Sequence, residues 1–460
     1  MVMAVLMMAF ALRLGAAVDD VRLHPDEALY STYARSAAVF GAWMLDGPVD
    51  KPPVSLYANA LSQHFIAARH TESGVIDVPL RAGEFAAKWP NVVAGLLAVA
   101  LVMAWARSAD GLRGGWLAAS LMAVAAYPVA YSASAFTDML MVTLALGGII
   151  AAHRGRAGLS GLLLALSIAT KPQAVFFLPL VWFALRDDGA RARALLWLAL
   201  GLVGLVLWDV ARPEDSLFAL GSANIDQGRW LADPADWPPR AAAWLAHAGG
   251  LFGHPALSLF AAFSAMWGVW RGGMARLLAL WCGAFFIGHI ISALPTFDRY
   301  LLPLVPPLCL LMASALVTIP RRTRYAVAAV LVILALVNPH DPRADVFRPT
   351  SEAAFIQTAD WLNSREMGAI IYDHWLGWQM GYYMGAWTDK RRVYYPDADT
   401  FVADARNNPD RAPRYLLAPH TPASDVAVWL AAARADGWRV SLAYANDGLR
   451  VYRLWRGDWE

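Results

Sequence analysis

An acidic pair near the start of the chain is the first candidate for chemistry. Asp26 and Glu27 follow Pro25 at the beginning of a helical stretch that runs from residue 28 to residue 39. Proline suits the first turn of a helix, and the helix dipole favours negative charge there. An ionised carboxylate in this place can accept a proton. The alternative is that the pair only caps the helix.

A lysine suited to an anion follows the acidic pair. In Asp50-Lys51-Pro52-Pro53 the cation lies on a backbone that two prolines stiffen, so its side chain is directed at little further entropic cost. Such a lysine suits a phosphate group. An ordinary turn has the same sequence pattern, so the motif alone leaves both interpretations open.

The composition is typical of a membrane protein. Apolar residues make up 58% of the 460 residues and charged residues only 16%, whereas soluble domains carry roughly 25% charged residues. The mean hydropathy is +0.42. A chain of this length has room for about ten membrane spans and one compact domain. The formal charge of +2 gives no reason to expect a nucleic acid as partner.

About eleven apolar stretches qualify as spans when flanking side chains snorkel. They lie near residues 1–18, 91–106, 115–131, 137–152, 158–170, 174–185, 194–210, 254–270, 276–293, 301–318 and 324–338. The region from 158 to 185 could instead form one broken hairpin. The first stretch lacks a basic start and contains Arg13, which favours a retained span over a cleaved signal peptide. We therefore predict an all-α membrane bundle.

The orientation follows from the arginines of the short loops. Every second loop is basic, through Arg107, Arg113, Arg154, Arg156, Arg186, Arg191, Arg193, Arg271, Arg276, Arg321, Arg322 and Arg324. By the positive-inside rule these loops are cytoplasmic. The N-terminus then lies inside, and the outer segments are 19–90, 132–136, 171–173, 211–253, 294–300 and everything after 339.

The chain changes character after residue 338. We predict a membrane domain at 1–338, with a large first outer loop at 19–90, and a soluble α/β domain at 339–460. Its β-rich runs are Ala369–Tyr372, Arg392–Tyr395, Tyr415–Ala418, Arg439–Tyr444 and Leu449–Leu454, and its helical stretches lie near 351–364, 399–407 and 424–436. Asn446-Asp447-Gly448 predicts a hairpin between the last two runs. The aromatic stretch at 374–383 either packs in the core or at the interface, or stacks on sugar rings.

On this topology the ionisable residues near the span ends gather on the outer side. They are Asp26, Glu27, Lys51, Asp138, Lys171 and Arg299. A charge at membrane depth costs about 2.5–3.5 kcal/mol on insertion scales, so this gathering indicates a functional site. Tyr30, one turn after the acidic pair, either lines that site or belongs to the interfacial belt.

Metal and nucleotide chemistry have little support in the sequence. The ten histidines are scattered, and none forms a His/Cys pair at zinc-site spacing. Asp397-Ala398-Asp399 has the D-x-D form of a metal motif, but a helix start is the favoured interpretation. No Gly-rich phosphate loop is found. Cys282 and Cys309 lie in apolar runs, where we expect both to be buried packing residues.

Taken together, these motifs resemble the polytopic, lipid-sugar-dependent glycosyltransferases of the GT-C superfamily, especially the bacterial family of protein mannosyltransferases and the aminoarabinose transferase of lipid A. The likeness covers most of the chain. In order, its motifs are Arg13, His24-Pro25-Asp26-Glu27-Ala28, Lys51-Pro52-Pro53, Arg81, Thr137-Asp138, Lys171-Pro172 and Arg299-Tyr300-Leu301-Leu302-Pro303. Their order and their placement on the outer side are hard to obtain by chance.

The resemblance implies a set of roles. In that family the donor is a polyprenyl-phosphate monosaccharide and a loop aspartate is catalytic, which assigns catalysis to Asp26 with Glu27 beside it. It also implies that Lys51 holds the donor phosphate and that Arg299 is a second phosphate contact. The residues expected to bind substrate or shape the site are Asp138, Lys171, Arg81, Tyr30 and Tyr300.

The same resemblance implies an inverting hexosyl- or pentosyltransferase in the cytoplasmic (inner) membrane of a prokaryote. Its partners would be membrane lipids, the polyprenyl-phosphate sugar and an acceptor glycan, lipid or protein, with no cofactor and no metal. The chain has fewer spans than the larger relatives, and its tail is not the sugar-binding repeat of the eukaryotic protein transferases. The acceptor therefore cannot be carried over.

Two other functions remain open at the level of sequence. An O-antigen ligase or polymerase would use a diphosphate-linked glycan, but it would be expected to place its key residues in a late, large outer loop. A lipid or sugar transporter would be expected to have ionisable residues deep in its spans, and this chain has its charges at the span ends.

Overall fold

The computed structural model describes residues 2–19, 22–45, 47, 49–212, 216–223, 229–337, 352–408, 410–421 and 424–456. The chain divides into two compact units. The first unit consists of Met1–Asp19, Ala42–Ser62 and Phe85–Arg343, and the second consists of Asp20–Gly41, Gln63–Glu84 and Ala344–Glu460. The predicted domain boundary at residues 338 and 339 lies outside the described residues.

The described part of the chain is mostly helical. Its helices are α1 (Val2–Val18), α2 (Pro25–Phe40), α3 (Pro53–Ser62), α4 (Leu80–Val124), α5 (Ala126–Ser132), α6 (Asp138–His153), α7 (Ala157–Ile168), α8 (Leu178–Ala184), α9 (Asp188–Ala211), α10 (Leu217–Ala223), α11 (Trp237–Gly250), α12 (Pro255–Arg271), α13 (Gly273–Ile291), α14 (Val305–Thr318), α15 (Arg321–Val337), α16 (Glu352–Asn363), α17 (Gly377–Tyr383), α18 (Ala398–Asn407) and α19 (Val426–Ala435). Short 3-10 segments cover Pro172–Phe177, Pro234–Asp236 and Asp298–Leu304, and a π-helical turn covers Gln63–Ala67.

The predicted helical membrane bundle is confirmed. Each predicted span coincides with helical segments, although residues 1 and 338 lie outside the described part. Four stretches are long and apolar enough to cross a membrane by length and composition: Leu80–Val124, Asp188–Ala211, Gly273–Ile291 and Asp298–Thr318. The first of them is interrupted at Asp110 and Gly111, whose backbone is not helical. The total of about eleven spans stays a prediction. Both cysteines are buried and free.

A proline and an arginine explain how α4 ends. Pro128 has no N–H to offer to the carbonyl four residues earlier, and its ring crowds that carbonyl, which favours a break in the helix at this point. The backbone becomes extended at Ala125, and α5 begins after it. Arg13 of α1 donates to the carbonyls of Met122 (3.2 Å) and Ala123 (3.0 Å). A buried arginine thereby satisfies backbone oxygens that would otherwise lie unpaired in apolar surroundings.

A glycine allows α7 and α9 to pack closely. A Cβ atom at Gly161 would lie 2.0 Å from the Ala194 carbonyl oxygen and 2.8 Å from its carbonyl carbon. Both are backbone atoms, which cannot move aside as a flexible side chain can. Small residues at such crossings let apolar helices gain van der Waals contact where water provides no driving force.

The second unit contains a mixed five-stranded sheet. Its strands are β3 (Ile370–Asp373), β4 (Arg391–Tyr394), β5 (Arg414–Pro419), β6 (Arg439–Ala445) and β7 (Leu449–Trp455), and a separate two-stranded hairpin pairs β1 (Arg69–His70) with β2 (Ile76–Asp77). The order is β4-β3-β5-β7-β6, with β4, β3 and β5 parallel and the remaining pairs antiparallel. The sequence predicted all five strands of this sheet and the hairpin turn after Ala445.

The core of this sheet domain lies between the sheet and its helices. The β3 residues are all buried, as expected for a central parallel strand. The core residues include Ile370, Tyr372, Phe401, Leu416, Trp429 and Leu454. The predicted helices at 351–364, 399–407 and 424–436 correspond to α16, α18 and α19, with residue 351 outside the described part. The sequence did not predict α17, which covers most of the aromatic stretch at 374–383.

Replacing Gly161 tests the close packing of α7 and α9. We expect Gly161→Ala to destabilise the protein by about 1–3 kcal/mol because the added methyl group overlaps backbone. The measurement is the thermal unfolding midpoint in detergent. Gly204→Ala is the matched control, since a Cβ atom there has no described atom within 4 Å and alanine favours helix. Equal midpoints for the two variants would contradict the packing argument.

Candidate functional site

Lys171 and Asp138 form a buried ion pair in the first unit. Asp138 is the first residue of α6. Lys171 has an extended backbone (φ −157°) before Pro172, because proline disfavours the helical conformation of the preceding residue. Its Nζ lies 2.5 Å from Asp138 Oδ1 and 4.1 Å from the centre of the Tyr300 ring. The two side chains are 9% and 1% exposed, so each charge depends on the other.

Arg299 and Tyr300 come from the 3-10 segment before α14 and lie beside this pair. The Arg299 guanidinium carbon lies 4.2 Å from the centre of the Phe297 ring, 4.6 Å from that of Phe136 and 5.5 Å from that of Tyr300. Aromatic faces stabilise a cation without using its N–H donors. The Arg299 backbone N–H donates to Asp298 Oδ1 at 2.7 Å. The guanidinium thus packs among aromatic rings, while the Arg299 backbone is bound by the neighbouring Asp298 side chain.

Lys51 lies close enough for its charge to act on Lys171. The Val54 N–H donates to the carbonyl of Ala169 at 3.0 Å, which ties the Lys51 segment to the residues just before Lys171. The pKa of Lys171 is lowered to about 8, first by burial and then by the positive charges of Arg299 and Lys51, against the opposing effect of Asp138. Lys51 also forms an ion pair with Asp50 and is 24% exposed. The first unit therefore brings Lys51, Lys171 and Arg299 into one electrostatic neighbourhood, which we call the basic cluster.

The sequence missed several polar neighbours of the basic cluster. Gln173 Nε2 donates to the carbonyl of Tyr300 at 3.0 Å and lies 2.9 Å from His289 Nε2. His289 comes from α13 and is buried. Gln173 is two residues from Lys171, and Asp298 precedes Arg299. Their nearness in sequence to predicted site residues was the signal by which they could have been found. His289 had none, because it lies in an apolar helix far along the chain.

Asp26 and Glu27 lie in the first turn of α2, in the second unit. His24 is the N-cap residue, and its ring nitrogen Nδ1 accepts from the Asp26 N–H at 3.1 Å. Glu27 Oε2 accepts from the His24 N–H at 2.8 Å, which completes a capping box. The capping alternative therefore describes what Glu27 does in this structure. The Asp26 side chain is 37% exposed and lies 4.0 Å from His24 Nδ1.

Arg81 and Tyr30 also lie in the second unit. Arg81 donates to Glu84 Oε2 at 3.2 Å, and its own side chain is 52% exposed. Glu84 is also bound by Arg22, through hydrogen bonds of 2.8 Å and 2.7 Å. Tyr30 is buried, with 4% of its surface exposed. The meeting of Asp26 with Lys51 and Arg299 in a single cavity stays a prediction.

The D-x-D motif is part of a helix start. Asp397 is the N-cap of α18, where it accepts from the Thr400 N–H at 2.7 Å. The cap is thus Asp397, and the helix begins at Ala398, one residue before the predicted start at Asp399. Among the described residues, no group of three or more His, Cys, Asp or Glu side chains is placed to hold a metal ion.

The fold is similar to that of two membrane transferases of known structure. ArnT from Cupriavidus metallidurans bound to undecaprenyl phosphate matches with a TM-score of 0.66 and 15% identity, over 98% of this chain and 97% of that one. An archaeal oligosaccharyltransferase from Archaeoglobus fulgidus, tethered with an acceptor peptide, matches with a TM-score of 0.56 and 11% identity, over 99% and 74%. No protein-family model and no curated protein matches the sequence.

Both relatives belong to the GT-C superfamily, and ArnT is the lipid A aminoarabinose transferase. The fold that the sequence motifs indicated is therefore shared with these two structures over nearly the whole chain. At these identities the likeness establishes the fold, and function has to be argued from the site.

A double-mutant cycle tests the Lys171–Asp138 pair. Asp138→Asn and Lys171→Met should each cost about 3–5 kcal/mol, because each leaves a buried charge without its partner. The double variant should lose less than the sum of the two single losses. The measurement is unfolding by denaturant in micelles.

Asp233→Asn is the control for this cycle. It removes one partner of a solvent-exposed pair with Arg229 at 2.8 Å, and exposed pairs contribute little. Additive losses at Asp138 and Lys171 would show that the two groups do not depend on each other.

Proposed function

We propose that this chain is an integral membrane glycosyltransferase that transfers a monosaccharide, with inversion, from a polyprenyl-phosphate donor to an acceptor on the outer face of the cytoplasmic membrane. The observation that carries the proposal is the similarity of fold, over 98% of the chain, to a transferase bound to undecaprenyl phosphate. The basic cluster supports the choice of a phosphate-bearing donor. The sugar and the acceptor are left open.

The proposed reaction is a single displacement at the anomeric carbon. The acceptor oxygen forms a new bond to that carbon, the bond between the carbon and the phosphate oxygen breaks, and the acceptor proton passes to the Asp26 carboxylate. The leaving polyprenyl phosphate gains negative charge as the bond breaks. An enzyme for this step needs a base on one side and fixed positive charge on the other.

The basic cluster contains the side chains suited to the developing charge. Lys51 is partly exposed and stands on a proline-stiffened backbone, so we assign it to the donor phosphate. Arg299 is the second phosphate contact, because a guanidinium presents several donors in a fixed plane. Lys171 is paired with Asp138, and we assign this pair to holding the cluster in place. Tyr300, against which Lys171 packs, shapes the same region.

Asp26 is the proposed base. It is the second residue of α2, where the helix dipole favours a carboxylate, and its side chain is partly exposed. Glu27 is engaged in the capping box, so we assign it to orienting the first turn of α2 and, through it, Asp26. Arg81 and Tyr30, which belong to the same unit, would act on the acceptor side.

Replacing Asp26 tests the assignment of the base. Asp26→Asn should reduce transfer by a factor of 10² or more, since general base catalysis typically contributes 10²–10⁴-fold, while folding is retained. Glycans from cells with the wild-type chain, the variant or no chain are compared by mass spectrometry. Glu72→Gln, at an exposed acidic residue of the same unit, should behave like wild type. Near-normal transfer by Asp26→Asn would remove Asp26 from the catalytic role.

Replacing Lys51 tests the phosphate assignment. Lys51→Ala should weaken the binding of undecaprenyl phosphate about tenfold, because a charge-assisted contact contributes roughly 1.5–3 kcal/mol when it is well formed and less when it is partly exposed. Binding is measured in lipid nanodiscs. Arg322→Ala removes an exposed arginine at the start of α15 and should leave binding unchanged. Equal affinities for wild type and Lys51→Ala would contradict the assignment.

A further inference from the structure

Both backbone polar groups of Leu23 are bound by side chains of α17. The Leu23 N–H donates to Tyr383 Oη at 2.8 Å, and Gln379 Nε2 donates to the Leu23 carbonyl at 2.8 Å. All three residues are buried, with 0%, 1% and 2% of their surfaces exposed for Leu23, Tyr383 and Gln379. Leu23 directly precedes His24, the N-cap of α2. The backbone that leads into the proposed catalytic segment is therefore fixed by a helix of the C-terminal domain.

The hydroxyl of Tyr383 belongs to a buried charged network. It donates to Glu84 Oε1 at 2.6 Å while it accepts from Leu23. Arg22 binds both oxygens of the same carboxylate, and the side chains of Arg22 and Glu84 are 4% and 5% exposed. Burial and the Glu84 carboxylate raise the pKa of Tyr383 well above its ordinary value, so its hydroxyl keeps the proton that it donates. Three separate stretches of chain meet in this network.

A second position on α2, Arg35, is held by the same short helix. Arg35 donates to the carbonyls of Tyr382 (2.8 Å) and Gly381 (3.3 Å). Its guanidinium carbon also lies 4.5 Å from the centre of the Tyr382 ring. Pro25, at the start of α2, and Arg35 are separated by about 15 Å of helical rise at 1.5 Å per residue. With two such attachments, α2 can neither shift along its axis nor tilt without breaking buried hydrogen bonds.

We propose that α17 is a docking helix that sets the position of Asp26, and that Gln379 and Tyr383 are positioning residues for sugar transfer. The proposal rests on the proposed function in one respect, namely that Asp26 is the base. Asp26 lies three residues after Leu23, inside the first turn of the helix that α17 holds. A displacement of that turn by about 1 Å would misplace the carboxylate and can cost on the order of 10²-fold in rate.

The positioning role predicts a particular kinetic pattern. In Tyr383→Phe the ring stays in place, while the Leu23 N–H loses its acceptor and Glu84 loses a donor. We expect kcat to fall by roughly ten- to a hundredfold, with the KM for the donor within twofold, because the basic cluster is unchanged. Rates are measured on the full chain in nanodiscs with a panel of undecaprenyl-phosphate monosaccharides. Gln379→Met, which removes only the amide, should show the same pattern more weakly.

Tyr372→Phe is the matched control. Tyr372 lies in β3 of the same domain, is fully buried and accepts from Arg414 Nη1 at 2.7 Å. The substitution therefore also deletes a buried tyrosine hydroxyl with a charged partner, but at a place that does not contact α2. We expect its kcat to remain near that of wild type. A similar loss of kcat in this control would show that the Tyr383→Phe defect is a general loss of domain stability.

Hydrogen exchange tests the docking without reference to activity. Amide exchange in residues 24–40 should become roughly tenfold faster in Tyr383→Phe and in Gln379→Met, because one buried hydrogen bond is lost from the attachment. Exchange there should not change in Tyr372→Phe. Unchanged exchange at 24–40 in both α17 variants would overturn the docking proposal.

The two proposals can fail separately. If Asp26→Asn retains transfer, then Asp26 is not the base, and the exchange experiment still decides whether α17 holds α2. If exchange at 24–40 is unaffected although Asp26→Asn is inactive, the base assignment survives and the positioning role is wrong. Faster exchange together with a loss of kcat at constant KM supports both.

Discussion

The ion pair between Lys171 and Asp138 is the constraint on which the arrangement of the basic cluster depends. Both side chains are buried, and a buried charge without a partner costs several kcal/mol. The pair therefore holds the first residue of α6 against the segment that follows α7. Tyr300 packs on the Lys171 ammonium, and Arg299 directly precedes Tyr300 in the sequence. This ionic contact thus fixes Lys171 beside Tyr300, next to one of the residues that we assign to the donor phosphate.

In the second unit, too, a buried charge requires a partner. Glu84 is a buried carboxylate with hydrogen bonds from Arg22 and Tyr383. These residues come from three stretches that are far apart in sequence, so the pairing can form only when all three stretches fold together. Arg35 adds a further link, since its guanidinium binds carbonyls at the end of α17. Residues 20–41 and 63–84 consequently group with residues 344–460 rather than with the membrane helices.

Local patterns explain which elements could be predicted from sequence. The strands of the sheet domain carry alternating or continuous apolar runs between turn residues, and these signals lie within each strand. The start of α2 was also predicted, because proline and two acids mark a helix N-terminus. By contrast, α17 has glycines at 377 and 381, which lower its intrinsic helix propensity. It also contacts α2 and the residues just before it, more than 300 positions away, and no local pattern indicates such contacts.

In the candidate site, too, some features could be predicted from the sequence and others could not. Lys51, Asp138, Lys171 and Arg299 could be selected because charges near span ends are costly and therefore informative. The pairing of Lys171 with Asp138 depends on the packing of separate helices. The position of Arg299 among aromatic rings depends on it as well. Gln173 and His289 carry no such mark, since a lone polar residue in an apolar stretch is usually a satisfied core residue. Sequence thus identified the charged residues, and packing determines how they are paired.

The buried network in the second unit also bears on what the C-terminal domain is for. A domain joined only by a linker could be removed without leaving buried polar groups unpaired. Here its removal would leave Glu84 without the Tyr383 hydroxyl, Leu23 without both of its side-chain partners, and Arg35 without its carbonyls. Each of these losses leaves a polar group without a hydrogen-bond partner next to the helix that carries Asp26. The C-terminal domain therefore provides hydrogen-bond partners on which the proposed catalytic segment depends.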